Sequence, residues 1–270
     1  METPMHSPFR EIVAYLPGVV RSNLYEGYFA RFYGSYTNFI DDDLKWYEAQ
    51  VDSGRGLRVL DLFCGTGRIA TYFANLGHHC TAIERSPDML SFDVSPHDNV
   101  EMRLGDVFEL EGSQSYDVAI AGQMSIAMFL DHSQRVELLR HIGRQLQVGG
   151  KLLFDMPLAS VQNSSEVLAL PLPENARGYV LSGVFRDLVS QLQTTYFLAE
   201  LDAPDQPTAR ILASHQLVLL SVEELRDEVS LSGFEIEKLE VSNPTPLQEA
   251  LTAPLARVSA VRRFPKPESN

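Results

Sequence analysis

The sequence predicts an α/β protein built around a parallel sheet. Five short apolar runs, rich in β-branched and aromatic residues, recur between residues 57 and 156, and helical patterns fill the segments between them. The runs lie about 15–35 residues apart, a spacing that suits helical crossovers between parallel strands and not hairpins. The five predicted strands are LRVLDLF (57–63), HCTAIER (79–85), VEMRLGD (100–106), YDVAIAG (116–122) and GKLLFDM (150–156).

Two of the intervening helices have clear boundaries. The first, over 68–76, places Ile69, Phe73 and Leu76 on one face and stops at Gly77. The second, over 132–147, begins after Asp131, which has Gln134 three residues later as in a capping box, and it ends at Gly149. These boundaries support the alternation of strand and helix.

The flanking regions differ from this core. A Pro/Ser/Leu-rich connector over 157–177 leads into three predicted antiparallel strands, 178–188, 190–200 and 209–220. A helix from Ser221 to Gly233 and two closing strands, 234–241 and 256–264, follow. The first 50 or so residues are aromatic-rich and predicted helical. We expect a helical lid over 1–56, an α/β core over 57–156, an inserted antiparallel subdomain over 157–220, and the end of the core sheet with a tail over 221–270.

Composition excludes several classes of protein. The 270 residues are 44% hydrophobic, which is enough for a substantial core, and the formal net charge of −14 disfavours binding to nucleic acid or anionic membranes. No apolar run approaches the ~18 residues of a membrane span, and the N-terminus lacks a secretion-signal pattern, so we expect a cytoplasmic protein. Two cysteines make no disulfide scaffold, and no ligand spacing predicts a metal.

The most informative segment joins the first predicted strand to its helix. Asp61 ends a buried strand, and Gly65 and Gly67 form a turn that lets a ligand approach the backbone. Glu84 ends the second strand, where a carboxylate can hold both hydroxyls of a ribose, and Asp106 ends the third, near the expected adenine edge. Three consecutive strand ends therefore supply three parts of one nucleoside site.

Residues 65–70 also satisfy the dinucleotide pattern G-x-G-x-x-A. Asp61 argues against a pyrophosphate, because its charge would face the phosphates. It suits a phosphate-free cofactor with a positive end, such as S-adenosylmethionine.

Taken together and in order, these motifs resemble the class I S-adenosylmethionine-dependent methyltransferases, and in particular the small-molecule enzymes of secondary metabolism. The resemblance covers about residues 57–156 through VLDLFCGTGRIA, AIERSPDML, GDV, YDVAIAGQMS and LRHIGRQLQVGGKLLFDM. It implies a Rossmann-like, doubly wound, mostly parallel seven-stranded sheet with an antiparallel final strand. The family commonly has glycine where Phe63 stands, and aminosugar members tend to have His or Tyr near Met128.

The resemblance also implies the cofactor contacts. We expect Tyr33 to close over the cofactor. The methionine end is expected to lie against Asp61, Gly65, Thr66 and Gly67, and the ribose against Glu84. Arg85, Ser86 and Met89 are expected to flank the adenosine, with Asp106 and Val107 at the adenine amine. Gln123 and Met124 are expected near the sulfonium.

The chemistry of the acceptor decides which further groups are needed. A neutral amine needs no base, whereas an O- or C-acceptor must lose a proton to a side chain or a metal-activated oxygen. The candidate catalytic residues are His132, His215 and Tyr36, and Arg177, Arg186 and Arg210 are candidates for binding a substrate carboxylate or are plain surface residues. Cys64 is interpreted as a small buried residue, and 41–43, three consecutive aspartates, as a solvated helix start.

The sequence thus predicts a methyltransferase that modifies a small molecule, most readily at nitrogen, in natural-product or antibiotic biosynthesis. The alternatives are a C- or O-methyltransferase, for example on a 2-oxo acid with metal assistance; a nucleotide-dependent oxidoreductase; and a non-catalytic cofactor-binding module. We expect a small-molecule partner and neither nucleic acid nor membrane, and homo-oligomer formation stays open.

Overall fold

The structure is a computed structural model that describes residues 5–7, 9–37, 42–51, 54, 56–91, 97–112, 116–159, 164–170, 177–203, 206–242 and 253–263. The helices are α1 Phe9–Ala14, α2 Gly27–Thr37, α3 Asp42–Glu48, α4 Arg68–Asn75, α5 Pro87–Leu90, α6 His132–Gln145 and α7 Val222–Leu231. The strands are β1 Val19–Arg21, β2 Arg58–Leu62, β3 His79–Glu84, β4 Val100–Leu104, β5 Tyr116–Ala121, β6 Leu146–Pro157, β7 Ser164–Leu170, β8 Arg177–Asp187, β9 Leu192–Ala203, β10 Gln206–Val218, β11 Phe234–Ser242 and β12 Leu255–Arg262. Two 3-10 turns cover Val107–Glu109 and Ser125–Met128. Within these ranges no helix is long and apolar enough to cross a bilayer.

Seven strands form the central sheet in the order β11-β12-β6-β5-β2-β3-β4. The pairs from β6 through β4 are parallel, and β12 is antiparallel to both of its neighbours. The predicted α/β class with a mostly parallel sheet is confirmed. From β2 the chain winds first towards β4 and then, from β5, towards the other edge. Ligands of open α/β sheets bind at such a reversal, outside the carboxyl ends of the strands.

Helices cover both faces of the central sheet, as buried parallel strands require. On one face α6 and α7 pack through Leu139 and Val229 against strand residues such as Phe154. On the other, α3 and α4 pack through Tyr47 and Phe73. Apolar burial of this kind contributes roughly 25 cal/mol per Å², and it fixes the strand ends from which the site is built.

A second sheet has five strands in the order β1-β10-β9-β8-β7. The strands β7 to β10 are antiparallel, and β1 is parallel to β10. One face packs on α1 through Phe9, and the other packs on α2 through Phe29 and Phe32. We call the latter the inner face. It carries the paired rows Ala213–Phe197–Ser182, His215–Thr195–Val184 and Leu217–Gln193–Arg186.

Three local predictions differ from the structure. The second core helix ends at Gln145, because residues 146–150 already belong to β6, with a register shift against β5. The connector over 157–177 contains the strand β7. The N-terminal region is not wholly helical, because β1 joins the second sheet. These segments have no sequence pattern of their own, and their conformation depends on pairing with distant strands.

The pairing of α6 with α7 includes a buried ion pair. Arg135 donates to both carboxylate oxygens of Glu228 and also to the carbonyl oxygens of Phe129 and Leu130. The Arg135 and Glu228 side chains are 3% and 4% exposed. Nδ1 of His132 lies 2.8 Å from the same carboxylate, but its side chain is 58% exposed. The ion pair therefore ties the loop after Ser125–Met128 to α7.

We predict that Glu228→Gln lowers the free energy of unfolding by roughly 3–5 kcal/mol, because it leaves the buried Arg135 charge without its partner. Urea denaturation measures this change. His132→Ala is the matched control on the same carboxylate, and an exposed contact of this kind is worth under about 1 kcal/mol. Equal losses in the two variants would contradict the account.

Candidate active site

A cavity of about 360 Å³ lies at the carboxyl ends of β2, β3, β4 and β5, where the strand order reverses. This volume is within the range of small-molecule sites. Nine of the thirteen residues predicted to contact the cofactor line it: Tyr33, Gly65, Thr66, Glu84, Arg85, Met89, Asp106, Val107 and Gln123. The expectation that separate strand ends converge on one site therefore agrees with the geometry.

The turn between β2 and α4 requires unusual backbone conformations. Gly65 and Gly67 have φ values of 58° and 81°. A Cβ atom on Gly67 would lie 2.9 Å from Cε of Met102. Phe63 also has a positive φ, 57°, at the position where the family commonly has glycine. The turn thus accommodates a left-handed residue with a full side chain at a small cost in strain.

Two carboxylates occupy the backbone amides of this turn and helix start. Glu84 accepts from the N–H of Gly65 at 3.0 Å and from that of Ser86 at 2.8 Å. Asp61 accepts from the N–H of Ala70 at 3.0 Å. A dinucleotide pyrophosphate binds to amides at a helix N-terminus, and here two carboxylates already hold the amides of Gly65 and Ala70. Their negative charge disfavours a ligand that carries phosphates.

Asp61 is fully buried and lies behind the cavity wall, not among the residues that line it. Its Oδ1 atom has no hydrogen-bond partner in the structure. Burial, which outweighs the hydrogen bond from Ala70, raises the pKa of this carboxyl to about 7. Asp61, which was predicted to contact the methionine end, thus lies close behind the turn and has one carboxylate oxygen without a partner.

The side of the cavity formed by β3 and β4 combines acidic and apolar groups. Arg85 and Asp106 approach each other at 3.9 Å, and Asp106 also caps the turn Val107–Glu109 by accepting from the N–H of Phe108. Met89 and Val107 supply buried apolar surface. This arrangement can hold a flat heterocycle between apolar walls, with a carboxylate at its edge.

Gln123 and Met124 follow β5, and both have positive φ values. Gln123 lines the cavity and donates through Nε2 to Asp43 at 2.9 Å. Met124 packs on the central core and donates its N–H to Oδ2 of Asp155. Asp43 is also held by both terminal nitrogens of Arg68. The interpretation of Asp43 as a solvated helix-start residue is wrong, because this ion pair buries it; Asp41 lies outside the described residues.

The N-terminal segment is attached to the loop after β3. The hydroxyl of Ser86 donates to the carbonyl oxygen of Tyr25, and the N–H of Gly27 donates to Oδ2 of Asp88 at 2.7 Å. Tyr25 and Tyr33 contact each other edge to face and both line the cavity. Ser86 does not line the cavity itself, but it holds Tyr25, which does. Its predicted contact with the adenosine stays a prediction.

The candidate catalytic residues lie in three different places. His132 is on the surface against Glu228 and does not line the cavity. Tyr36 belongs to α2, and its side chain is outside the described residues. His215 is on the inner face of the second sheet, edge-on to Phe197, with no hydrogen-bond partner for Nδ1. Of the two candidate histidines, His132 is exposed and His215 is half-buried, and neither lines the cavity.

Cys64 lines the cavity but is not chemically activated. Burial, together with the nearby charges of Asp61 and Glu84, raises the pKa of its thiol far above the ordinary value. The thiolate is the nucleophilic form of cysteine, so this side chain is an apolar part of the wall. Among the residues that the structure describes there is also no group of three potential metal ligands.

Sequence reasoning missed an aromatic cluster on the cavity wall. The ring of Phe129 lies 5.9 Å from those of both Phe63 and Phe108. The contact between Tyr25 and Met128 on the cavity wall was also not predicted. The Tyr25 hydroxyl lies 3.2 Å from the Met128 sulfur. Phe63 could have been recognised from the sequence, because it lies inside the glycine motif. The other residues could not, because their contacts join distant segments of the chain.

The fold and the site define a methyltransferase domain. A family model described as a methyltransferase domain matches residues 53–198, just over half of the chain, and the protein belongs to this family. The predicted methyltransferase family is thereby confirmed, and the cofactor S-adenosylmethionine stays a prediction.

Individual relatives match part or all of the chain. The Bacillus subtilis protein YqeM is 32% identical over 120 residues, 43% of this chain and 48% of its own length. The cypemycin N-terminal methyltransferase of a Streptomyces species is 32% identical over 103 residues, 37% of this chain and 42% of its own. This chain therefore aligns with less than half the length of either relative. The solved structure of CalS10, an amino pentose methyltransferase from Micromonospora echinaspora, is similar in fold, with 16% identity, a TM-score of 0.66, and coverage of 89% of this chain and 99% of that one.

We predict that Phe63→Gly is more stable than Phe63→Ala by roughly 1 kcal/mol, because both lose the ring but only glycine relieves the positive φ. Urea denaturation of the two variants isolates the backbone contribution. If the alanine variant is as stable as the glycine variant, Phe63 is not strained.

Proposed function

We propose that this protein transfers a methyl group from S-adenosylmethionine to a nitrogen atom of a small molecule in a natural-product pathway. The observation that carries the proposal is the cavity at the strand-order reversal, in which Glu84 holds the glycine turn and Tyr25 and Tyr33 form part of the lining. The names of the cypemycin and amino pentose enzymes support a nitrogen acceptor in secondary metabolism.

The residues present suit the cofactor. Glu84 keeps lone pairs on both carboxylate oxygens after accepting two backbone N–H groups, so it can still accept from ribose hydroxyls. Asp106 lies where an adenine amine could donate to it. Asp61, buried directly behind the turn, adds negative charge that favours an ammonium group nearby. S-adenosylmethionine supplies an electrophilic methyl group on a sulfonium when bound. The protein's part is to orient the acceptor and to exclude water.

The chemistry of the cavity wall favours nitrogen over oxygen or carbon. The pKa of Cys64 is raised by burial, and that of Tyr25 is raised by burial and by neighbouring Tyr33 and Glu84, so neither group becomes a base near neutral pH. The carboxylates of Glu84 and Asp106 are engaged by backbone amides. A neutral amine needs no proton removed before methyl transfer, so this wall suffices for it.

The inner face of the second sheet supplies a further group for the acceptor. His215 lies between Ala213, in the cluster that includes Tyr25, and Leu217, in the cluster with Ile126 and Ala127 of the turn Ser125–Met128. Tyr25 and Met128 line the cavity and His215 does not, so an acceptor in the cavity would reach His215 past these two clusters. Burial lowers the pKa of its imidazole to about 4. The neutral ring can therefore accept a hydrogen bond from the amine and orient its lone pair.

We predict that Glu84→Gln weakens S-adenosylhomocysteine binding tenfold or more, about 1.4 kcal/mol, because one charged acceptor for the ribose and for Gly65 is lost. Calorimetric titration measures the affinity. Glu101→Gln, an exposed acid of β4, is the control and keeps the wild-type affinity. NADH binding in place of S-adenosylhomocysteine would sink the proposal, as would equal affinities for the two variants.

The affinity for S-adenosylhomocysteine also depends on pH through Asp61. Because its carboxyl pKa is about 7 in the free protein, and a bound ammonium group favours the ionised form, binding below that value releases a proton. We predict that affinity rises as pH increases from about 5.5 to 7, by at most about tenfold per unit, and is level above it. Asp61→Asn keeps an acceptor for Ala70 and removes this rise; a rise that persists in the variant would assign it to another group.

A further inference from the structure

We propose that Arg186, on the inner face of the second sheet, binds a carboxylate group of the methyl acceptor. This inference rests on the proposed function and adds a substrate class to it: a small amine that also carries an acid group.

Arg186 is a buried cation whose described hydrogen-bond partners are both neutral side chains. The residue is 8% exposed. Its Nε donates to Oε1 of Gln193 at 2.9 Å and its Nη1 donates to Oγ of Ser164 at 3.1 Å, while Nη2 has no hydrogen-bond partner in the structure. No described carboxylate lies within ion-pair distance of it, although Glu166, exposed on β7, is close enough to act on its charge. A buried charge left unpaired is costly, and an anionic ligand would remove that cost.

Arg186 is surrounded by buried polar residues, whereas most buried positions in protein cores are apolar. Ser182, Gln193 and Thr195 are each at most 2% exposed on the same face. The Ser182 hydroxyl and Nδ1 of His215, like Nη2 of Arg186, have no partner. Arg186 and His215 are two strands and two residues apart, roughly 12 Å between Cα atoms. An acceptor could span this distance, with its amine near His215 and its acid group on Arg186.

The charge of the site favours a carboxylate over a phosphate. In the three rows that define the inner face, Arg186 is the one Lys or Arg, so a single positive charge matches a monoanion. Gln193 and Ser164 accept from Nε and Nη1 of the guanidinium, and Nη2 is left as a buried donor without a partner. Arg210, in contrast, is already paired with Glu200 on the same sheet. The two arginines therefore make a matched pair for a test.

The test uses the full chain saturated with S-adenosylhomocysteine, with acetate as the anionic probe and acetamide as its neutral isostere. The midpoint of thermal unfolding is measured against probe concentration at constant ionic strength. We expect acetate, and not acetamide, to raise the wild-type midpoint. Arg186→Gln should weaken the apparent acetate affinity tenfold or more, whereas Arg210→Gln should leave it unchanged.

Three results would overturn the inference: no acetate effect beyond that of acetamide in the wild-type protein, an effect that survives Arg186→Gln, or an equal loss in Arg210→Gln. Calorimetric titration with S-adenosylhomocysteine on the same samples separates this inference from the proposed function. If S-adenosylhomocysteine binds the wild type and the Arg186 variant equally, and acetate has no specific effect, only the carboxylate subsite fails. If S-adenosylhomocysteine does not bind the wild type, the methyltransferase proposal itself fails.

Discussion

The hydrogen bond from the Gly65 amide to the Glu84 carboxylate connects the ends of two neighbouring strands and fixes the path of the turn between β2 and α4. Asp61 does the same for the first turn of α4 through Ala70. Amides at a helix start normally attract anions, and here the protein's own carboxylates satisfy them. The choice of a phosphate-free, cationic cofactor thus follows from how the turn is stabilised.

The rest of the site is arranged around this turn by buried polar contacts. Arg68, which follows the turn, donates to Asp43, and Asp43 also accepts from Gln123 after β5. Ser86, after β3, holds Tyr25, which lines the cavity. The second sheet has buried polar atoms without partners on Arg186 and His215, and these atoms are the basis of the proposed acceptor site.

Much of the cofactor side could be predicted from the sequence, because strand ends, glycines and caps are local signals. Gly65, Glu84 and Asp106 converge as their strand positions required. The partners of Asp43 and the contact between Tyr25 and Met128 were not predictable, because they join segments 25 and 103 residues apart. The strand β7 was missed for the same reason: its extended conformation depends on pairing with β8.

The crystal structure of the protein with S-adenosylhomocysteine tests the central claim most directly. The account predicts the nucleoside in the cavity at the carboxyl ends of β2 to β5, with both ribose hydroxyls within hydrogen-bond distance of Glu84, the adenine beside Asp106 and Val107, and the sulfur facing Gln123. A ligand bound elsewhere, or one whose ribose makes no contact with Glu84, would contradict it.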